Sequence, residues 1–118
     1  MSGIFSRLFG RQAPTEPRWV EVDELRQRLA SASSPLVLDV REPDEFDGPL
    51  GHIDGARNIP LPLLDAHYAT LVADERPIVC VCLTDKRSAA AAAQLTDAGF
   101  RDVAVLRGGM KAWREPAQ

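Results

Sequence analysis

The residue types with chemical reach gather in one short stretch, Cys82-Leu83-Thr84-Asp85-Lys86-Arg87-Ser88. It lies between the most hydrophobic run of the chain, Ile78-Val79-Cys80-Val81-Cys82, and an alanine-rich segment from Arg87 to Ala98. With the first as a strand and the second as a helix, Cys82 sits at the strand's carboxyl end. There it meets the free N–H groups and the positive dipole end of the helix. Cysteines at helix N-termini or beside Lys and Arg fall from a pKa of about 8.5 to roughly 3.5–7.5. Lys86 and Arg87 add positive charge at this point, and Asp85 subtracts from it. The same cradle of N–H groups suits an anion or a substrate that bears an oxyanion. Spacing alone leaves two readings open: Cys82 is a nucleophile, or it is an ordinary buried cysteine at a strand end.

The other reactive types read more plainly. Cys80 forms a Cys-x-Cys pair with Cys82, but a metal needs further ligands and none stands nearby in sequence. A disulfide two residues apart would strain the strand end, so Cys80 is expected in the core. His67 falls on a helical stripe and is expected at the surface. Asp39, Arg41 and Glu42 stand close enough in sequence to be read as an acid–base cluster.

The elements that must position Cys82 follow from hydrophobic periodicity. Trp19-Val20 reads as a short extended piece, and Val22, Leu25 and Leu29 as one face of a helix with Asp23 and Glu24 in its first turn. Leu36 to Val40 is a strand stopped by Pro43, and Arg57-Asn58-Ile59 a weaker one between Gly55 and Pro60. Leu64, His67, Tyr68 and Leu71 make a second helical stripe. The run from Ile78 to Cys82 is apolar at every position, as a central parallel strand should be. The alanine helix ends at Gly99, Val103 to Leu106 forms another strand, and Gly108-Gly109 opens a last helix carrying Met110 and the core anchor Trp113. Strands alternating with helices predict an α/β domain with a mainly parallel sheet. Right-handed crossovers then bring every strand-to-helix loop to one edge of that sheet.

Composition narrows the function classes. The chain has 118 residues, 14 Lys+Arg against 17 Asp+Glu, and a net charge of −3. A single domain is expected at this length, and 45% hydrophobic residues exclude disorder. The acidic balance argues against nucleic acid as a partner, and no apolar run approaches the roughly 20 residues of a membrane helix. Two cysteines make no disulfide framework, which points to the reducing cytoplasm. Residues 1–18 stand apart: Ile4, Phe5, Leu8 and Phe9 have helical spacing, with Pro14 and Pro17 cutting the segment off. They are expected to form a frayed tail or a short docking segment rather than a membrane contact, with the folded domain over 19–115.

At the cysteine loop the chain resembles the rhodanese-like sulfurtransferase family, and the resemblance runs from Trp19 to Trp113. Three stretches carry it. The first comprises Leu38-Asp39-Val40-Arg41-Glu42-Pro43, Glu45-Phe46, Gly51-His52-Ile53-Asp54-Gly55-Ala56 and Asn58-Ile59-Pro60. The second is the cysteine loop closing in Arg87-Ser88, and the third is Gly99-Phe100, Val103, Leu106, Gly108-Gly109 and Ala112-Trp113. The resemblance implies a three-layer α/β fold: a mainly parallel five-stranded sheet with helices on both faces. Related phosphatases and arsenate reductases carry one residue more than the loop Cys82–Arg87, a wider cradle suited to a tetrahedral oxyanion. The shorter loop favours sulfur transfer.

The implied chemistry is double displacement. Cys82 takes the outer sulfur of thiosulfate or a similar donor, or as a sulfur relay takes it from a protein donor, becomes a persulfide, and passes the sulfur to a thiophilic acceptor: cyanide in an assay, a small or protein thiol in a cell. Leu83, Thr84, Asp85, Lys86 and Arg87 would cradle the donor, with no metal and no organic cofactor. The resemblance makes His52 structural and has Arg41 tie loops together through ion pairs. The position of Asp85 is often glycine in the family, where a positive φ is expected; aspartate tolerates that conformation. Its carboxylate would oppose both the thiolate and an anionic donor. The rival functions are a non-catalytic protein-binding module and a small-anion phosphatase or arsenate reductase.

Overall fold

A computed structural model describes residues 17–116. The amphipathic segment read over residues 1–18 lies outside the described residues except for Pro17 and Arg18. Along the chain come β1 (Trp19–Val20), α1 (Val22–Leu29), β2 (Leu36–Asp39), α2 (Pro43–Phe46) and β3 (Arg57–Asn58). A 3-10 stretch, Leu61–His67, runs into α3 (Tyr68–Asp74), followed by β4 (Ile78–Val81), α4 (Lys86–Asp97), β5 (Val103–Leu106) and α5 (Gly109–Trp113).

The strands form one sheet in the order β1-β5-β4-β2-β3, and every neighbouring pair is parallel. Every residue of β2, β4 and β5 is buried, which explains why these strands read as apolar runs broken only by Asp39 at the end of β2. Alternation along each strand sorts the core into two layers. Leu36, Leu38, Ile78, Cys80, Cys82, Val103 and Val105 pack with Leu71, Ala91, Ala92 and Leu95 of α3 and α4. Val37, Val79, Val81, Ala104 and Leu106 pack with Leu25 of α1 and Met110 and Trp113 of α5. The result is the expected three-layer α/β fold.

Connectivity fixes where a site must lie. From β2 the chain moves outward to β3, and from β4 it moves the other way to β5. The order reverses between β2 and β4, so their carboxyl ends flank the crevice where open α/β sheets bind ligands. Asp39 ends β2 there, and Cys82 follows β4.

Two local readings change. Pro43 does not merely stop β2; it occupies the first turn of α2, behind a capping box in which Glu42 and Glu45 satisfy each other's backbone N–H. The second helical stripe is a 3-10 segment before it becomes α3. Pro60 and Pro62 at its start supply no N–H donors, where the first N–H groups have no intrahelical partner in any case.

Candidate active site

Cys82 is 1% exposed. Its Sγ accepts the backbone N–H of Ser88 at 3.3 Å and lies 3.3 Å from Ser88 Oγ. Ser88 is itself fully buried in the first turn of α4. The amide end of a helix is thus turned onto a thiol, the arrangement that stabilises sulfur anions. Leu83, Thr84 and Lys86 are exposed on the loop rim, while Asp85 and Arg87 are half-buried.

Asp85 corrects an expectation. Its φ is −151° with ψ 0°, not positive, and its side chain makes no capping hydrogen bond to α4. The loop closes without a left-handed residue at this point, and the Asp85 carboxylate is left as a charge uncommitted to the helix.

What shapes the loop comes from the other side of the sheet. The backbone N–H of Met110 donates to Cys82 O at 2.9 Å, and that of Lys111 to Leu83 O at 3.0 Å. Between them and the loop lies Gly109 at φ +58°, where a Cβ would run into the carbonyl oxygens of Cys82, Leu83 and Thr84. A side chain at this position would also strain the backbone. With those carbonyls drawn to α5, the loop's opposite side is free to present N–H groups to the sulfur, as Ser88 does.

Arg87 does not reach into open space. Its Nη1 and Nη2 donate to Glu45 Oε1 and Oε2 at 2.7 and 3.0 Å, a bidentate fork. The Arg87 guanidinium holds the Glu45 carboxyl at about 2, well below the ordinary carboxylate range. The hydrogen bonds that Arg87 donates to Glu45 in turn raise the pKa of Arg87. α2, unseen in the sequence, therefore anchors the end of the cysteine loop.

Beneath this pair lies Arg41, 2% exposed, doubly bonded to Asp39 and donating also to Glu45 O at 3.1 Å and Gly51 O at 2.8 Å. Asn58 Nδ2 donates to Asp39 O and Arg41 O. Arg41 thus ties β2, α2, the Gly51 turn and β3 together. Asp39 and Glu42 are occupied by this lattice and by the α2 cap, so they form no acid–base cluster. His52 is engaged by Phe46: its Nδ1 lies 2.9 Å from Phe46 O, and its ring stacks on Phe46 at 3.6 Å. His67 is exposed. Cys80 is wholly buried, and burial, with Cys82 beside it, pushes its thiol up to about 12.

Sequence reasoning placed the loop but gave Ser88, Glu45 and Gly109 no role at it. A usable signal existed for Glu45: Glu42-Pro43-Asp44-Glu45 has the spacing of a capping box with proline at its first helical position. No local pattern announces its contact with Arg87 or that of Gly109 with the loop.

A family model described as a rhodanese-like domain matches residues 21–116. The chain is 40% identical over 96 residues to a probable adenylyltransferase/sulfurtransferase, MoeZ, of Mycobacterium tuberculosis, covering 80% of this chain and 24% of that one. It therefore spans about a quarter of that relative's length. It is also 38% identical over 96 residues to the thiosulfate sulfurtransferase GlpE of Shewanella oneidensis, covering 81% of this chain and 91% of that one. Among solved structures, a rhodanese-like domain protein from Staphylococcus aureus superposes with a TM-score of 0.71 at 27% identity, covering 83% and 92% of the two chains. A parallel sheet whose switch-point crevice holds a cysteine loop, matched nearly end to end by one family model, leaves one assignment: this chain belongs to the rhodanese-like domain family.

Proposed function

We propose that the protein is a sulfurtransferase that carries sulfane sulfur as a persulfide on Cys82. The Cys82 thiolate attacks the outer sulfur of thiosulfate or a similar donor. The donor's S–S bond breaks, sulfite leaves with the electron pair, and Cys82 holds the transferred sulfur as a persulfide anion. An acceptor thiolate, or cyanide in an assay, then attacks that outer sulfur and returns Cys82 to the thiolate. This is covalent catalysis in two displacements, with ping-pong kinetics as its signature. Leu83 to Arg87 form the cradle for the donor, and no group in the scheme needs a metal or an organic cofactor.

The observation that carries the reading is the Ser88 N–H aimed at the buried Cys82 sulfur at 3.3 Å. A helix amide supports negative charge on sulfur without a histidine base, and His52 is committed to Phe46 instead. The names borne by MoeZ and GlpE, a sulfurtransferase and a thiosulfate sulfurtransferase, support the reaction class. No helix among the described residues is long and apolar enough to cross a membrane, and a reducing compartment such as the cytoplasm suits a reactive thiol.

The test is the intact mass of the reduced protein before and after thiosulfate, beside Cys82→Ser. Wild type gains the mass of one sulfur atom and the variant does not. A folded wild type with free thiols and no gain sinks thiosulfate as donor, and a gain that persists in Cys82→Ser sinks Cys82 as the carrier.

A further inference from the structure

The charges around Cys82 cancel. Arg41 is paired with Asp39 at 2.8 Å with both side chains buried, and Arg87 is paired through both Nη atoms with Glu45. On the loop itself Lys86 stands against Asp85. The exposed Asp44 and Glu42 on and beside α2 outnumber the exposed Lys111 of α5, whose N–H donates to Leu83 O. A half-buried arginine beside a nucleophile is ordinarily the group that binds a dianion. Here its fork is filled by Glu45, which stays ionised far below neutral pH.

From this we infer that Glu45 is a specificity-determining residue: by filling the fork of Arg87 it leaves the Cys82 pocket without net positive charge. The pocket then favours the hydropersulfide of a small thiol, which brings at most one negative charge at its sulfur end, over dianionic thiosulfate. The inference rests on the reading that Cys82 carries sulfur, and it narrows the donor for that site. In the loading step the Cys82 thiolate attacks the outer sulfur of R–S–S–H. The donor S–S bond breaks, R–S⁻ leaves with the electron pair, and the proton stays on the transferred sulfur. Charge and atoms balance, and no external oxidant or reductant enters. The backbone N–H groups of the loop suffice to hold such a donor, because each offers a partial charge and none demands a counterion.

The experiment is the rate of loading of Cys82, read by intact mass over a range of donor concentrations up to saturation, with thiosulfate and cysteine hydropersulfide as the probes. Glu45→Gln frees the charge of Arg87. It should raise the thiosulfate loading rate about three- to tenfold at low ionic strength, through KM rather than kcat, while the hydropersulfide rate stays within about twofold. Salt at about 1 M, where the screening length falls to about 3 Å, should erase the gain. Asp85→Asn removes a carboxylate that makes no capping bond, so it changes charge without costing α4 a cap. It should raise the thiosulfate rate in the same direction, and it keeps the test alive if Glu45→Gln fails to fold. A folded Glu45→Gln whose thiosulfate rate is unchanged, or which loses both donors together, overturns the specificity assignment. So does Asp85→Asn without a gain when Glu45→Gln cannot be folded. Failure of wild type to load from either donor is a different result, and it overturns the persulfide reading beneath the inference.

Discussion

Gly109→Ala is the sharpest probe of how the loop is held. Alanine at φ +58° carries a left-handed backbone penalty of about 1–2 kcal/mol. Its Cβ would stand 2.7 Å from Leu83 O and nearer still to the carbonyl oxygens of Cys82 and Thr84, where an ordinary C···O contact is about 3.3 Å or more. The loop or α5 must therefore retreat by roughly half an ångström to an ångström. Such a retreat weakens the bonds from Met110 and Lys111 to the loop, now 2.9 and 3.0 Å, each worth about 1 kcal/mol net. The expected loss is about 3–4 kcal/mol, a large share of a typical 5–15 kcal/mol. Gly99→Ala is the matched control. Gly99 is also left-handed, at φ +104°, but an added Cβ meets nothing within 4 Å, so it should lose only about 1–2 kcal/mol of backbone strain. Urea unfolding measures the first effect, and sulfur loading of the folded protein measures the second. Gly109→Ala should load at least about tenfold more slowly, because a displaced loop misplaces its amides; Gly99→Ala should load like wild type. If Gly109→Ala costs no more than Gly99→Ala, or loads at the wild-type rate when folded, the contact with α5 does not shape the site.

Arg41→Ala should cost about 3–5 kcal/mol in urea unfolding, because it strands the buried Asp39 carboxylate. Arg41→Lys should recover little of that loss, since an ammonium cannot span Asp39, Glu45 O and Gly51 O together. The Glu45–Arg87 pair should make stability pH-dependent in one direction. Glu45 is depressed from 4.5 to about 2, so the pair stabilises the fold above the upper value and loses its effect as pH falls through the lower one. With the two side chains 35% and 33% exposed, screening limits the gap between wild type and Glu45→Gln to about 1 kcal/mol at neutral pH; denaturation series should see it close towards pH 2. Cys80, with its thiol pushed up to about 12, should react with alkylating reagents only as fast as the protein unfolds. Cys80→Ala should leave sulfur loading within about twofold of wild type at a cost of about 1 kcal/mol.

The pieces that were legible in the sequence share a physical reason. β2, β4 and β5 are buried on both faces, so nothing polar interrupts them short of Asp39 at the end of β2, and a helix of alanines can lie close to such a sheet with little side-chain entropy to lose. The nucleophile candidate was legible because a cysteine at a strand-to-helix junction is a local pattern. The clamps were not, because they are long-range and use residue types common elsewhere. Arg87 and Glu45 lie 42 positions apart, and α2 is a single turn whose residues are all at least partly exposed, so no hydrophobic period marks it. Gly109 looks like any helix-opening glycine until the Cys82 carbonyl is placed against it. Asp85 shows the reverse error: family habit suggested a left-handed residue, whereas the loop reaches α4 with φ −151°. Local sequence thus names the candidate nucleophile, while the groups that pack around its loop sit on elements that exist for other reasons, a capped turn and the last helix. A substitution at Glu45 or Gly109 can therefore change the chemistry at Cys82 without altering any residue of the loop that carries it.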